Sequence, residues 1–272
     1  MAIPRILRTG SALSLAAIQQ ACPAVFATQP HPTRGPRYEY IPTIEPLEAL
    51  LQDGWGVYEA TQNKTRTLGK EGFCRHSLRL RPLDAKTNIY GGAADGSLEI
   101  SLTNAHDGTA AYSIHAAYFR LVCSNGMTAG KQIAAHRIVH SKGRSTGEVI
   151  DVVARVVEED FPRMTKQIEL FQQTMLNDEQ ILKLADVAME LRYGSYMKPF
   201  AATDLLKARR KVDEGNGAWE VLNRIQENVM QGGWETRSPL SGRKSAVRAV
   251  EAIAPAQKIN AGLWAAAEEM LA

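Results

Sequence analysis

The residues best suited to chemistry lie in residues 98–130, LEISLTNAHDGTAAYSIHAAYFRLVCSNGMTAG. His106 beside Asp107 has the composition of a general base, with Asn104 available to orient it. Cys123 is a candidate nucleophile if the fold brings it to His106. Together they would suit a nuclease or another hydrolase. The same residues have a structural reading. Asn, Asp and Gly form turns because they tolerate positive φ or bond to their own backbone, and neighbours in a hairpin turn need not point the same way. A Cys at the end of an apolar strand acts as a small hydrophobe. The turn is the stronger reading, so the chain leans towards a non-enzyme while an enzyme stays open, with His106 and Asp107 as its leading catalytic candidates.

A metal centre assembled from His106, Asp107, His115, His136 and His140 was weighed against the spacing. His136 and His140 stand four apart, which suits a helix face, but their surroundings read as extended. We therefore expect no metal. No glycine-rich dinucleotide fingerprint occurs, and Gly242-Arg243-Lys244-Ser245 lacks the glycines of a phosphate-binding loop, so no cofactor is expected.

Positive charge is the more informative pattern. Arg75, Arg79 and Arg81 fall on one side of a strand, and Lys131, Arg137, Lys142 and Arg144 follow without an acid among them. Arg237, Arg243, Lys244 and Arg248 form a third group beside Trp234. If the first two groups meet on one face, they make a groove that tracks phosphates and releases counterions. Arg120 and the aromatics Tyr112, Tyr118 and Phe119 would stand beside it as a stacking platform. Ordinary solvated surface, balanced by acidic helices, weighs equally on charge patterning alone.

The elements that must position these residues follow from periodicity. A short amphipathic helix begins near Ser11 and ends at Pro23, and residues 29–36 read as a linker. Thr43 can cap a helix that buries Leu47, Leu50 and Leu51. Residues 55–61 and 73–81 read as strands, the second with Cys74, His76, Leu78 and Leu80 on one face. Residues 98–103 and 110–123 pair as a hairpin about Asp107-Gly108, and residues 133–139 can extend the sheet. From Glu148 the period becomes helical, with a break at Pro162 and a capping box at Asn177 and Gln180. Further helices are expected near 203–211, 218–230, 244–252 and 257–271, with a polar loop over 232–242. The expected fold class is α+β: an antiparallel β-sheet with helices in the N-terminal half, then an all-helical C-terminal half. Its divisions are 1–37 as helix and linker, 38–147 as the sheet domain and 148–272 as the helical region.

The bulk numbers fit this. The 272 residues can bury a sizeable core, and 44% hydrophobic with 22% charged residues is ordinary for a globular protein. Three dispersed cysteines argue against a disulfide framework and for a reducing cytoplasm. No apolar run reaches the roughly 20 residues of a membrane span. The first 28 residues allow a signal-peptide reading, but Gln19 and Gln20 interrupt its apolar core.

Several runs carry a resemblance. They are Arg37-Tyr-Glu-Tyr-Ile-Pro-Thr43, His76-Ser-Leu-Arg-Leu-Arg81, Leu102-Thr-Asn-Ala-His-Asp-Gly108 and Phe119-Arg-Leu-Val-Cys-Ser-Asn-Gly126. Arg224-Ile-Gln-Glu-Asn228 with Gly232-Gly233, and Ile259-Asn260 with Leu263-Trp264, continue it. In these runs the chain resembles the bacterial YafZ/YfjQ-type family of uncharacterised proteins, domain of unknown function 932, carried on prophages and plasmids. Asn104, His106, Asp107, Gly108, Arg120, Cys123, Asn125 and Gly126 are its motif positions here. The chain departs from the family at its start, which lacks acidic residues. The resemblance implies a mobile-element setting and a cytoplasmic protein with no cleaved signal. The layout is similar to that of phage single-strand annealing proteins of the Rad52-like group, which need no catalytic residues and assemble into rings or filaments.

The leading expectation is a nucleic-acid-binding protein, with single-stranded DNA as partner, self-association and no membrane. The alternatives are a nuclease or hydrolase using His106 and Asp107, and a non-enzymatic inhibitor of a host or phage factor.

Overall fold

A computed structural model describes residues 6–83, 96–120, 126–128, 136–196, 198, 200–237, 242 and 244–271. The fold is α+β. The strands are β1 (Ile6–Arg8), β2 (Trp55–Gln62), β3 (His76–Pro82), β4 (Gly96–Asn104), β5 (Tyr112–Arg120), β6 (Gly126–Thr128) and β7 (His136–Ile138). They form one sheet of order β1-β2-β3-β4-β5-β6, with β7 pairing on β5 outside that path. The registers of β1–β2, β2–β3, β3–β4 and β5–β7 are antiparallel. Within the expected 133–139, residues 136–138 thus extend the sheet as β7.

Period-two alternation sorts the two faces of this sheet. Leu78 and Leu80 of β3 pair with Leu102 and Ile100 of β4, and all four are fully buried. Tyr112 and Ile114 of β5 continue the same apolar face. The opposite face is polar: Ser77 lies across from Thr103 and Arg79 from Ser101. Helices α1 (Leu15–Ala21), α2 (Ile44–Gln52) and α3 (Thr146–Arg155) supply Ile18, Leu47, Leu50, Val149, Val152 and Val153 to the core. Ser14 caps α1, its hydroxyl accepting from the Ala17 amide at 3.2 Å. Pro23 then opens a 3-10 turn.

Pro162 is the second residue of α4 (Phe161–Gln173). It does not end the helical run. The helix widens just before it into a π turn over Val156–Asp160, where the Phe161 amide reaches back to the Val156 carbonyl. The π turn keeps the run continuous where the proline amide offers no donor.

The chain divides into two compact units. Unit 1 holds residues 1–91, 97–118 and 133–162, and unit 2 holds 92–96, 119–132 and 163–272. In unit 2 the Asn177 capping box forms at the start of α5 (Asp178–Tyr193), with both of its hydrogen bonds at 2.9 Å. Phe171 of α4, Trp219 of α6 (Ala218–Gln231) and Trp264 of α7 (Ile253–Leu271) meet in its core. Two expectations fail here. Residues 203–211 form separate 3-10 turns, and residues 244–252 begin as a strand. That strand, β9 (Lys244–Ala246), pairs with β8 (Glu235–Arg237), so a small ribbon stands where a polar loop and a helix start were expected. Paired backbone groups outweigh a weak local helix propensity there. Among the described residues, no helix is long and apolar enough to cross a membrane.

Candidate functional site

The polar residues of unit 1 converge on Thr43. Its hydroxyl does not cap α2, the role expected for it. It lies 2.8 Å from His76 Nε2, 3.3 Å from His106 Nε2 and 3.1 Å from Asn104 Nδ2. His76, His106, Thr43 and Asn104 are all fully buried. Donor and acceptor counting fixes the protons. His76 Nδ1 faces the Cys74 carbonyl at 2.9 Å, so Nδ1 carries the hydrogen and Nε2 accepts from Thr43. Thr43 has one hydrogen to give, and His106 Nε2 faces the same hydroxyl. Asn104 donates from Nδ2 to the Ile41 carbonyl at 3.2 Å and accepts on Oδ1 from the Ala105 amide at 2.8 Å. His140 Nε2 meets the same Oδ1 at 2.8 Å, while its Nδ1 meets the Glu39 carbonyl at 3.0 Å.

Burial dominates the protonation of these rings. It drives His76 down to about 4, with the Cys74 carbonyl and Asp107 pulling partly back. It drives His106 down to about 3, and His76 and His140 push the same way. The Ala24 carbonyl partly offsets this, yet His106 Nδ1 makes no hydrogen bond of ordinary geometry. Both rings are neutral at physiological pH.

One side of the network opens to solvent. Arg34, Gly35, Pro36, Arg37, Tyr38 and His140 line a cleft of about 400 Å³. The Tyr38 ring stacks on His140 with centroids 4.7 Å apart and planes 14° from parallel. Its hydroxyl donates to the Ala105 carbonyl at 3.0 Å. Arg34 passes over Gly108, whose φ of +79° the turn requires. An antiparallel bridge joins Tyr38 to Ser141 and so sets Arg37 opposite Lys142. Arg34, Arg37 and Lys142 are exposed.

A family model, "Domain of unknown function (DUF932)", matches residues 30–264, which takes in both the cleft and the network. The chain belongs to this family. DUF932 relatives from Escherichia coli (strain K12) include the UPF0380 protein YafZ, 34% identical over 98% of this chain and 94% of its own length. The UPF0380 protein YfjQ is 33% identical over the same shares. No solved structure matches.

Of the DUF932 motif positions expected from the sequence, Asn104 and His106 build the network. Asp107 does not touch His106. Its Oδ1 accepts from the Thr109 amide at 3.0 Å and the Thr109 hydroxyl at 2.6 Å, as a turn-forming carboxylate does. Asn104 orients His140 rather than His106. Cys123 and Asn125 lie outside the described residues, and Gly126 begins β6.

The basic positions separate. Arg79 is 8% exposed and meets Glu59 at 2.9 Å and Glu99 at 2.7 Å. Arg81 meets the other oxygen of Glu99 at 2.6 Å and lies over the Tyr58 ring. Glu99 is fully buried. The two arginines do share one side of the sheet, as alternation requires, but they neutralise carboxylates that strand pairing brings there. Arg75 donates to the Thr109 carbonyl. Arg120 pairs with buried Asp213 at 2.6 Å inside unit 2. Arg144 pairs with Glu148 one helical turn on. Arg137 and Lys142 are exposed, and Lys131 lies outside the described residues. Sequence reasoning missed Arg34 and Arg37, placed in or beside a linker, and Glu99.

The histidines weighed for a metal also separate. His106 and His140 belong to the network. His136 meets Asp160 of the π turn at 2.9 Å, and His115 lies near His136, with burial lowering it to about 4. Among the described residues, no group of three or more His, Cys, Asp or Glu could hold a metal ion. Cys22 and Cys74 are buried free thiols, and burial pushes Cys22 up to about 12.

Proposed function

We propose that this protein binds nucleic acid, single-stranded DNA first of all, as a non-enzymatic protein of a mobile genetic element, and that it promotes strand annealing as a homo-oligomer. The observation that carries the reading is the grouping of Arg34, Arg37 and Lys142. They are exposed, gathered about the Tyr38–Ser141 bridge, and without a carboxylate partner among the described residues. Unpaired cations gathered on a solvent-facing rim attract a polyanion and release its counterions. Arg79, Arg81 and Arg120 play no part in this version, because their charge is already met by Glu59, Glu99 and Asp213. His106 and Asp107 give the hydrolase reading no support: the ring is sealed from solvent and the carboxylate serves its own turn.

The test is fluorescence anisotropy with a labelled single-stranded oligonucleotide across a salt series. Each phosphate contact contributes roughly 0.7 to the logarithmic salt slope for a single strand. Replacing Arg34, Arg37 and Lys142 together by Ala should reduce the slope by about 2. Absence of binding at low salt, or a slope unchanged in the triple variant, overturns the reading.

A further inference from the structure

Resting on that reading, we propose that the cleft between Arg34, Arg37, Tyr38 and His140 is a pocket for a single terminal phosphate, the phosphomonoester dianion at the end of a DNA strand. The cleft's size suits a single phosphate group. At about 400 Å³ it sits low in the range of roughly 300–1,000 Å³ typical of small-molecule pockets. That is room for a phosphate and its sugar at an open surface. Its charge points to a dianion. Arg34 and Arg37 line a space walled by the Tyr38 ring, Arg34 keeping one guanidinium nitrogen on the Thr33 hydroxyl. Two cationic side chains match the two charges of a terminal phosphate better than the single charge of a diester.

The floor carries a third, conditional charge. His140 has an acceptor at each ring nitrogen, the Glu39 carbonyl and Asn104 Oδ1. Asn104 cannot be reversed, because its Nδ2 must donate to Ile41. A neutral imidazole has one N–H, so it leaves one of these acceptors without a hydrogen. Only the imidazolium satisfies both. Burial holds the ring neutral in the free protein, and the Glu39 carbonyl pulls against that. The other charges about the ring are Arg34, Arg37 and Asp107 around its stacked partner Tyr38, with neutral His76 and His106 behind it. A dianion in the cleft places negative charge beside the ring, offsets the cost of burial and tips His140 to its charged form. Both N–H groups then stay with Glu39 and Asn104, so His140 acts on the ligand through charge alone.

The experiment compares a short 3′-labelled oligonucleotide bearing a 5′-phosphate with its 5′-hydroxyl counterpart by anisotropy at pH 7.5 and fixed salt. A 5′-labelled pair with and without a 3′-phosphate, and a free nucleoside 5′-monophosphate as competitor, complete the set. One phosphorylated end should bind about tenfold tighter than the hydroxyl form, the worth of one added charge-assisted contact. Arg34→Gln and Arg37→Gln should each narrow that ratio towards one, with circular dichroism unchanged. Between pH 8 and 6.5 the preference should grow, by at most tenfold per unit for one proton taken up, and His140→Gln should abolish that growth. Equal affinity for phosphorylated and unphosphorylated ends overturns the pocket while leaving nucleic-acid binding in place. A nucleotide that competes as well as the phosphorylated strand overturns the strand-end assignment. If no oligonucleotide binds while the nucleotide does, the function falls and the phosphate pocket stands.

Discussion

Lowering the pH from 7 to 5 should destabilise this protein by about 4 kcal/mol through His76 and His106 alone. Their folded values, about 4 and about 3, lie below the ordinary value of 6.5. Below 6.5 the unfolded chain therefore binds protons that the folded chain refuses. Stability is complete above that value and is lost as pH falls towards the folded values. Each unit of pH below 6.5 costs about 1.4 kcal/mol per ring, so pH 5 costs about 2 kcal/mol for each. His115, lowered to about 4, adds in the same direction. Ordinary carboxylates remain ionised down to pH 5, and Glu268, whose carboxyl is raised by burial, acts in the opposite direction, so the histidines dominate the loss in this window. The assay is urea denaturation followed by tryptophan fluorescence at pH 7, 6 and 5, reading midpoint and slope. A His76→Gln variant should lose about a third of the pH dependence that these three rings carry. A midpoint that does not move between pH 7 and pH 5 refutes the buried neutral network.

Two further perturbations test the packing. Glu99→Gln removes the carboxylate that Arg79 and Arg81 share and leaves two poorly hydrated guanidiniums; a loss of about 3 kcal/mol is expected by denaturant titration, and a loss under 1 kcal/mol would show that water replaces the carboxylate. Asn177→Ala breaks the capping box of α5 and should cost about 1 kcal/mol, read as a small fall in thermal midpoint with unchanged ligand binding.

What the sequence made legible was periodic. Alternation over residues 73–81 placed Leu78 and Leu80 inward and Arg79 and Arg81 together, because strand geometry alone decides facing. The Asn177–Gln180 box was readable because its partners stand three residues apart. What stayed hidden depends on distant pairing. Nothing near Arg79 or Arg81 announces Glu99, which arrives through the β3–β4 pairing. Thr43 was a reasonable cap until three elements placed ring nitrogens and an amide beside its hydroxyl. The cleft was missed because residues 29–36 have linker composition. Proline and glycine there mark a turn, and they say nothing about which surface the turn leans on. His106 and Asp107 drew attention for their side chains, although one was bound for the core and the other for its own turn.

Unit 1 is discontinuous, made of residues 1–91, 97–118 and 133–162. Its network joins Glu39 to His140, and α2 is tied to α3 by the Thr146 hydroxyl on Glu45, a pair 101 residues apart. Loop closure of that span precedes any reward from the contacts it brings, so the unit folds late and slowly. On the ribosome, β1 to β5 emerge without their histidine partner. At 5–20 residues per second, the segment from the end of β5 at Arg120 to the end of β7 at Ile138 takes roughly 1–4 s to synthesise. During that interval the nascent sheet exposes the edge on which β7 will pair, and a chaperone or a second nascent copy has time to occupy it.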